Sequence, residues 1–167
     1  MKRLLIASLI FFSILGLILI TVQRGRSKKT VNHLTAGTPY ISFPVGYKDS
    51  AAVNLDNFTG KSSVVLCFTD KSINSEKLKT VLNKQLRGFT DNYLKVIWFN
   101  IALNEKTAEI SEFNNRTPRY IFSLNDLPKQ YDLTVMPVIY VIDKTGTIKM
   151  IYRGFSPTVI SDLAGVF

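Results

Sequence analysis

The sequence predicts an α/β domain, a mixed central sheet flanked by helices, preceded by an N-terminal transmembrane helix. Three observations carry this expectation. Residues 4–22, "LLIASLIFFSILGLILITV", are nineteen residues without a charge. The apolar runs 62–68 and 93–101 bracket an amphipathic stretch that begins at Ile73. Two β-rich runs, 137–143 and 147–155, meet around "DKTG".

The first run is long enough, as a helix, to cross roughly 30 Å of hydrocarbon. It follows "MKR" and precedes "QRGRSKK", with no small-x-small cleavage site after it. It reads as an uncleaved signal anchor, with a cleaved signal or a buried core helix as the alternatives. Residues 1–3 are a short flank and 23–36 a basic tether, leaving 37–167 as the folded domain. Lys2 and Arg3 lie on one side of the span, and Arg24, Arg26, Lys28 and Lys29 on the other. Flanking charge therefore does not orient the protein.

Within the domain, residues 40–61 hold short apolar pieces broken by Gly and Pro, with no long helix. "SSVVLCF" (62–68) is apolar without alternation, as expected of a central strand. From Ile73, apolar residues at Leu78, Val81, Leu82, Leu86 and Phe89 form one stripe on a helix, which Ser72 or Asn74 can cap. "YLKVIWFNI" (93–101) is the next strand. "NEKTAEISEFNNR" (104–116) reads as a weaker helix carrying Ala108, Ile110 and Phe113. Residues 118–136 read as irregular, with one helical turn near Leu127. The runs around "DKTG" form a hairpin with Gly146 in a left-handed conformation. Lys149 and Arg153 mark its second strand as an outer one. The tail allows a short helix at most. The expected order is β–α–β–α–β–β.

Charge and composition exclude several function classes. The formal charge of +9 comes largely from residues 1–30, which hold six Lys/Arg and no acid. Residues 31–167 hold 15 basic and 12 acidic groups, a balance of +3. That is no nucleic-acid surface. One His and one Cys cannot make the usual zinc or copper set, so no metal is expected, and no small-molecule cofactor either. The lone Cys67 rules out an intrachain disulfide and reads as a small buried hydrophobe; one-cysteine peroxidatic chemistry would need it exposed.

"VNLDNFTGKSSVVLCFTDKS" and "YDLTVMPVIYVIDKTGTIKMIYRGF" resemble thioredoxin-like proteins of the membrane-anchored TlpA/ResA, redoxin-like type, over about residues 38–156. The first has the short strand, F-x-G-K turn and apolar strand; the second has the Pro after an apolar loop, the Asp-ended strand and the final "GF". The resemblance implies a thioredoxin-like sheet, a cis bond at Met136–Pro137 and a domain outside the cytoplasm, in the cell envelope. It also implies a C-x-x-C pair where strand meets helix. Here the spacing-matched residues are Ser72 and Ser75, or Ile73 and Glu76 if the match slips by one. A natural and an engineered loss of the cysteines would look alike.

Serine does not replace that chemistry. It does not exchange with disulfides, and as a nucleophile it needs a general base. The only histidine, His33, lies in the tether; Asp70 and Glu76 are lone carboxylates. The serines read as a cap and first-turn polar surface, and catalytic residues are expected to be none. A groove for an extended peptide or partner protein remains, made by Phe68, Thr69, Ile73, Val135, Met136 and Pro137. The expected function is a membrane-tethered, redox-inactive binding or assembly factor. The alternatives are a thiol–disulfide oxidoreductase with a degenerate site, and a purely structural membrane-associated domain.

Overall fold

The computed structural model describes residues 31–48, 51–85, 94–101, 107–112 and 120–164. The chain divides into two units, Met1–Asn32 and His33–Phe167, and every element below belongs to the second. The expected span at 4–22 lies outside the described residues. No helix among the described residues is long and apolar enough to cross a membrane.

Two strands, β1 (Pro44–Lys48) and β2 (Ala51–Asn54), pair as an antiparallel hairpin. A six-stranded mixed sheet follows, built from β3 (Ser63–Thr69), β4 (Leu94–Ile101), β5 (Thr107–Glu112), β6 (Tyr120–Ser123), β7 (Val138–Ile142) and β8 (Ile148–Arg153). Its order is β6-β5-β4-β3-β7-β8. Helix α1 (Ile73–Gln85) carries the chain from β3 to the parallel strand β4, and α2 (Val159–Ala164) follows β8.

The central place of β3 is the one its sequence calls for. It pairs with β4 on one side and β7 on the other, and Val64 to Thr69 are all buried. Alternation along it sends side chains to two separate cores. Val65 and Cys67 pack with Leu78 and Leu82 of α1 and Val159 and Leu163 of α2. Val64, Leu66 and Phe68 face an aromatic core on the other side with Phe43, Phe99, Phe122, Tyr131 and Tyr140. There Phe68 stacks on Phe99 with ring centroids 4.5 Å apart. Burying each such aliphatic side chain contributes about 1.5–3 kcal/mol.

The expected helix at 104–116 is not there. Residues 107–112 are strand β5, paired antiparallel with β4. Ala108 and Ile110 are buried while Thr107 and Glu109 are half-buried, so the period is two and not that of a helix. Phe113 lies outside the described residues. The stretch expected to be irregular also holds a strand, β6, followed by a 3-10 turn at Leu124–Asp126 that ends against Leu127. Strands β5 and β6 extend the sheet beyond β4, where a second helix was expected. The end of the α1 stripe, at Leu86 and Phe89, lies outside the described residues; Leu78 and Leu82 are buried as expected, with Val81 half-buried.

The hairpin of β7 and β8 follows the sequence closely. Gly146 has φ +81°, and a Cβ there would meet the Tyr40 ring at 2.8 Å. The Asp143 carboxylate accepts from Thr145 N–H (2.9 Å), Thr145 O–H (2.6 Å) and Thr147 N–H (2.9 Å), and Lys149 Nζ sits 3.0 Å away. Burial works to raise its pKa, but these donors outweigh it and hold the carboxyl down to about 2. Strand β8 is an edge, with Lys149 and Arg153 exposed on it. The packed domain reaches back to Leu34, which is buried and donates its N–H to Gln130 O at 3.0 Å.

Candidate functional site

The junction of β3 and α1 positions both serines. Strand β3 ends at Thr69, and a two-residue turn through Asp70 and Lys71 leads to Ser72, which caps α1. Its carbonyl accepts the first helical bond, from Glu76 N–H at 3.1 Å. Its hydroxyl oxygen accepts from Ser75 N–H at 3.3 Å. A short oxygen side chain at this place satisfies an N–H that the helix itself leaves open.

Asp70 ties the turn together. One carboxylate oxygen, Oδ1, accepts from Ser72 N–H (3.0 Å), Ser72 O–H (2.5 Å) and Ser75 O–H (2.5 Å). Ser75 Oγ in turn accepts from Asp70 N–H at 3.1 Å. The two hydroxyls lie 3.2 Å apart. Each hydroxyl has a single proton, and both are directed at the carboxylate, so that contact is not itself a second donation. Burial raises the Asp70 carboxyl, but the serine hydroxyls and the Ser72 N–H pull it below its usual value.

This arrangement gives the serines a structural role. Ser75 was expected on the surface and is fully buried instead, because it closes the loop between strand end and helix start. Ser72 is half-buried. A carboxylate held below its ordinary pKa is a poor base, and neither hydroxyl has an imidazole as a hydrogen-bond partner. The serines therefore lack the activation that nucleophilic chemistry needs. Cys67 is fully buried beneath α1 and α2, and burial pushes its thiol pKa up, away from the reactive thiolate. No group of three or more His, Cys, Asp or Glu side chains suited to a metal occurs among the described residues.

The Met136–Pro137 bond is cis. The β3–β7 register pairs Phe68 with Val138, which sets Pro137 beside the end of β3, next to the Asp70 turn. Asp132 braces the loop before the proline. Its carboxylate accepts from Thr134 N–H (3.0 Å) and Thr134 O–H (2.7 Å), and Arg153 Nε lies 3.4 Å from it. Gly154 N–H donates to Pro137 O at 2.7 Å. Of the groove residues expected from sequence, Ile73 and Val135 are exposed and Met136 is half-buried. Phe68, Thr69 and Pro137 are buried, so they can only support a surface from below. Sequence reasoning missed Asp70 as the centre of the knot. The signal was present as D-x-S-x-x-S, an acid two residues before a capping serine.

No family model matches the chain, and no curated protein sequence matches it. Solved structures do. A presumed thiol:disulfide interchange protein DsbE from Chlorobium tepidum superposes with a TM-score of 0.57 at 20% identity, over 79% of this chain and 94% of the other. The thioredoxin domain of a thiol-disulfide oxidoreductase from Bacteroides vulgatus gives 0.56 at 14% identity, over 80% and 98%.

The fold is thioredoxin-like.

A thiol peroxidase from Chromobacterium violaceum shares the same fold, with a TM-score of 0.52 at 10% identity, over 80% and 86%. Against the thioredoxin-like fold, the Asp70 knot stands at the helix start, and the chain's only cysteine lies five residues before Ser72, inside β3. Dithiol exchange needs two thiols, and this chain has one.

Proposed function

We propose that this chain is a membrane-tethered binding or assembly factor of the TlpA/ResA type that has no thiol–disulfide activity of its own. Residues 4–22 are its single membrane span, and the thioredoxin-like domain lies outside the cytoplasm. Ile73, Val135 and Met136 present a surface to an extended peptide of a partner protein, with Pro137, Phe68 and Thr69 beneath. The observation that carries this reading is the Asp70–Ser72–Ser75 knot, with hydroxyls bound to a carboxylate where the resemblance calls for a reactive pair. The names of two of the structural neighbours above, which speak of thiol–disulfide interchange or oxidoreduction, supply the contrast.

Two measurements test it. In an insulin-reduction assay the purified full chain is expected to stay at background, and catalysis above background would return it to the oxidoreductases. In pull-downs from solubilised membranes, Met136→Asp is expected to lose partners that the unmodified chain retains. Identical partners in both samples would remove the groove from the proposal. A reporter fused after Phe167 and active only in the cytosol would reverse the orientation.

A further inference from the structure

Residues 34–41 run ahead of the first strand and are bonded to two separate parts of the domain. On the sheet side, Gly37 N–H donates to Ile148 O at 2.7 Å, Ile148 N–H to Thr38 O at 2.9 Å, and Tyr40 N–H to Gly146 O at 3.0 Å. Both backbone groups of Ile148, on the outer edge of β8, are satisfied in this way, as an unpaired edge would not be. On the loop side, Leu34 N–H donates to Gln130 O at 3.0 Å, and Tyr131 O–H donates to Ile41 O at 2.8 Å. Leu34 and Tyr131 are both buried in the aromatic core. The segment is a strap, fastened near its ends to residues 130 and 131 and along its middle to the edge of the sheet.

Gln130 and Tyr131 lead straight into the loop before Pro137. Asp132 N–H donates to Tyr140 Oη at 2.8 Å, and Thr134 N–H donates to the Asp132 carboxylate at 3.0 Å. Among the described residues, Val135 and Met136 have no hydrogen-bond partner. Their position is therefore set from the two ends of the loop. After them stands Pro137, whose carbonyl accepts from Gly154 N–H at 2.7 Å. Before them stand Asp132 and Thr134, directly after the residues that hold the strap. Segments near a chain terminus open more readily than the core they pack on, so a strap can come loose while the sheet stays folded.

We propose that the strap positions the partner surface: while residues 34–41 are docked, Val135 and Met136 are held in place, and undocking the strap loosens them. The strap is where the chain enters the domain, so whatever displaces the chain before His33 reaches that surface through it. The use of this coupling rests on the reading of Val135 and Met136 as a partner surface; the coupling itself needs no partner.

The test is hydrogen exchange of the full chain in detergent, read residue by residue by NMR. Leu34→Asp puts a charge in the buried place and undocks the strap. The Asp132 and Thr134 amides are expected to exchange about tenfold faster in it, with Val65 and Ile97 in the central strands unchanged. Leu34→Ala is expected to give the same pattern more weakly, and decides the matter if the aspartate variant does not fold. Coupling is reciprocal. Tyr131→Phe, which keeps the ring and removes the bond to Ile41 O, is therefore expected to speed the Gly37 and Tyr40 amides. Faster exchange confined to the strap in the Leu34 variants would overturn the proposal. Equal acceleration of loop and central strands would do the same, since it reports a general loss of stability. A pull-down in which Met136→Asp keeps every partner would remove the partner surface and leave the exchange result standing.

Discussion

At the scale of single residues, Cys67, Asp70 and Asp143 each hold a place that a substitution or a reagent can test. Cys67 is sealed between the sheet and two helices, so a small maleimide is expected to leave the folded chain unmodified and to label it fully after denaturation. Rapid labelling of folded protein would contradict the buried position. Asp70 is the acceptor on which the strand-to-helix turn depends. Asp70→Ala would leave the buried Ser75 hydroxyl without its main partner, and a loss of about 1–3 kcal/mol is expected in urea unfolding. Asp143 plays a comparable part in the β7–β8 turn. Its folded pKa lies below the unfolded value, so the stability it lends is present above about pH 4 and is lost as pH falls toward about 2. Asp143→Asn is therefore expected to flatten the pH dependence of stability between those limits. A slope unchanged by the substitution would show that other carboxylates carry it.

At the scale of elements, the turns were legible because their residue types have few alternatives. Gly146 combines φ +81° with the Tyr40 ring packed where a Cβ would go. Gly146→Ala is expected to destabilise the domain by about 1 kcal/mol or more, which a thermal melt would register. The strand β5 was not legible. "NEKTAEISEFNNR" is rich in helix formers, and its apolar residues at 108, 110 and 113 fit either period in part. Pairing with the open edge of β4 overrode local propensity, since unpaired strand edges are satisfied most readily by another strand. The four-residue β6 was missed for a related reason: its apolar pattern is too short to show a period, and only the neighbouring β5 gives it a partner.

At the scale of the whole molecule, a scaffold shared with thiol–disulfide proteins stands without the pair of thiols that exchange needs. The two cores on either side of β3 maintain that scaffold whether or not the helix start is reactive. Phe68 joins the aromatic core from the central strand, so Phe68→Ala is expected to cost about 3–5 kcal/mol and to lower the melting temperature sharply. A loss much under 1 kcal/mol would mean that the aromatic core is not continuous through β3.

The sequence by itself determined that the chain has a single thiol, and with it the central strand, the capped helix, the final hairpin and its outer edge. These follow from residue identity and short-range period, which need no knowledge of distant neighbours. Only the tertiary structure decided that Ser75 is an interior tie rather than surface, that residues 107–123 contribute strands, and that Leu34 and Ile41 are bonded to Gln130 and Tyr131. Each of those depends on which segment lies alongside which, and strand pairing across the sheet brings together residues that chain order keeps apart.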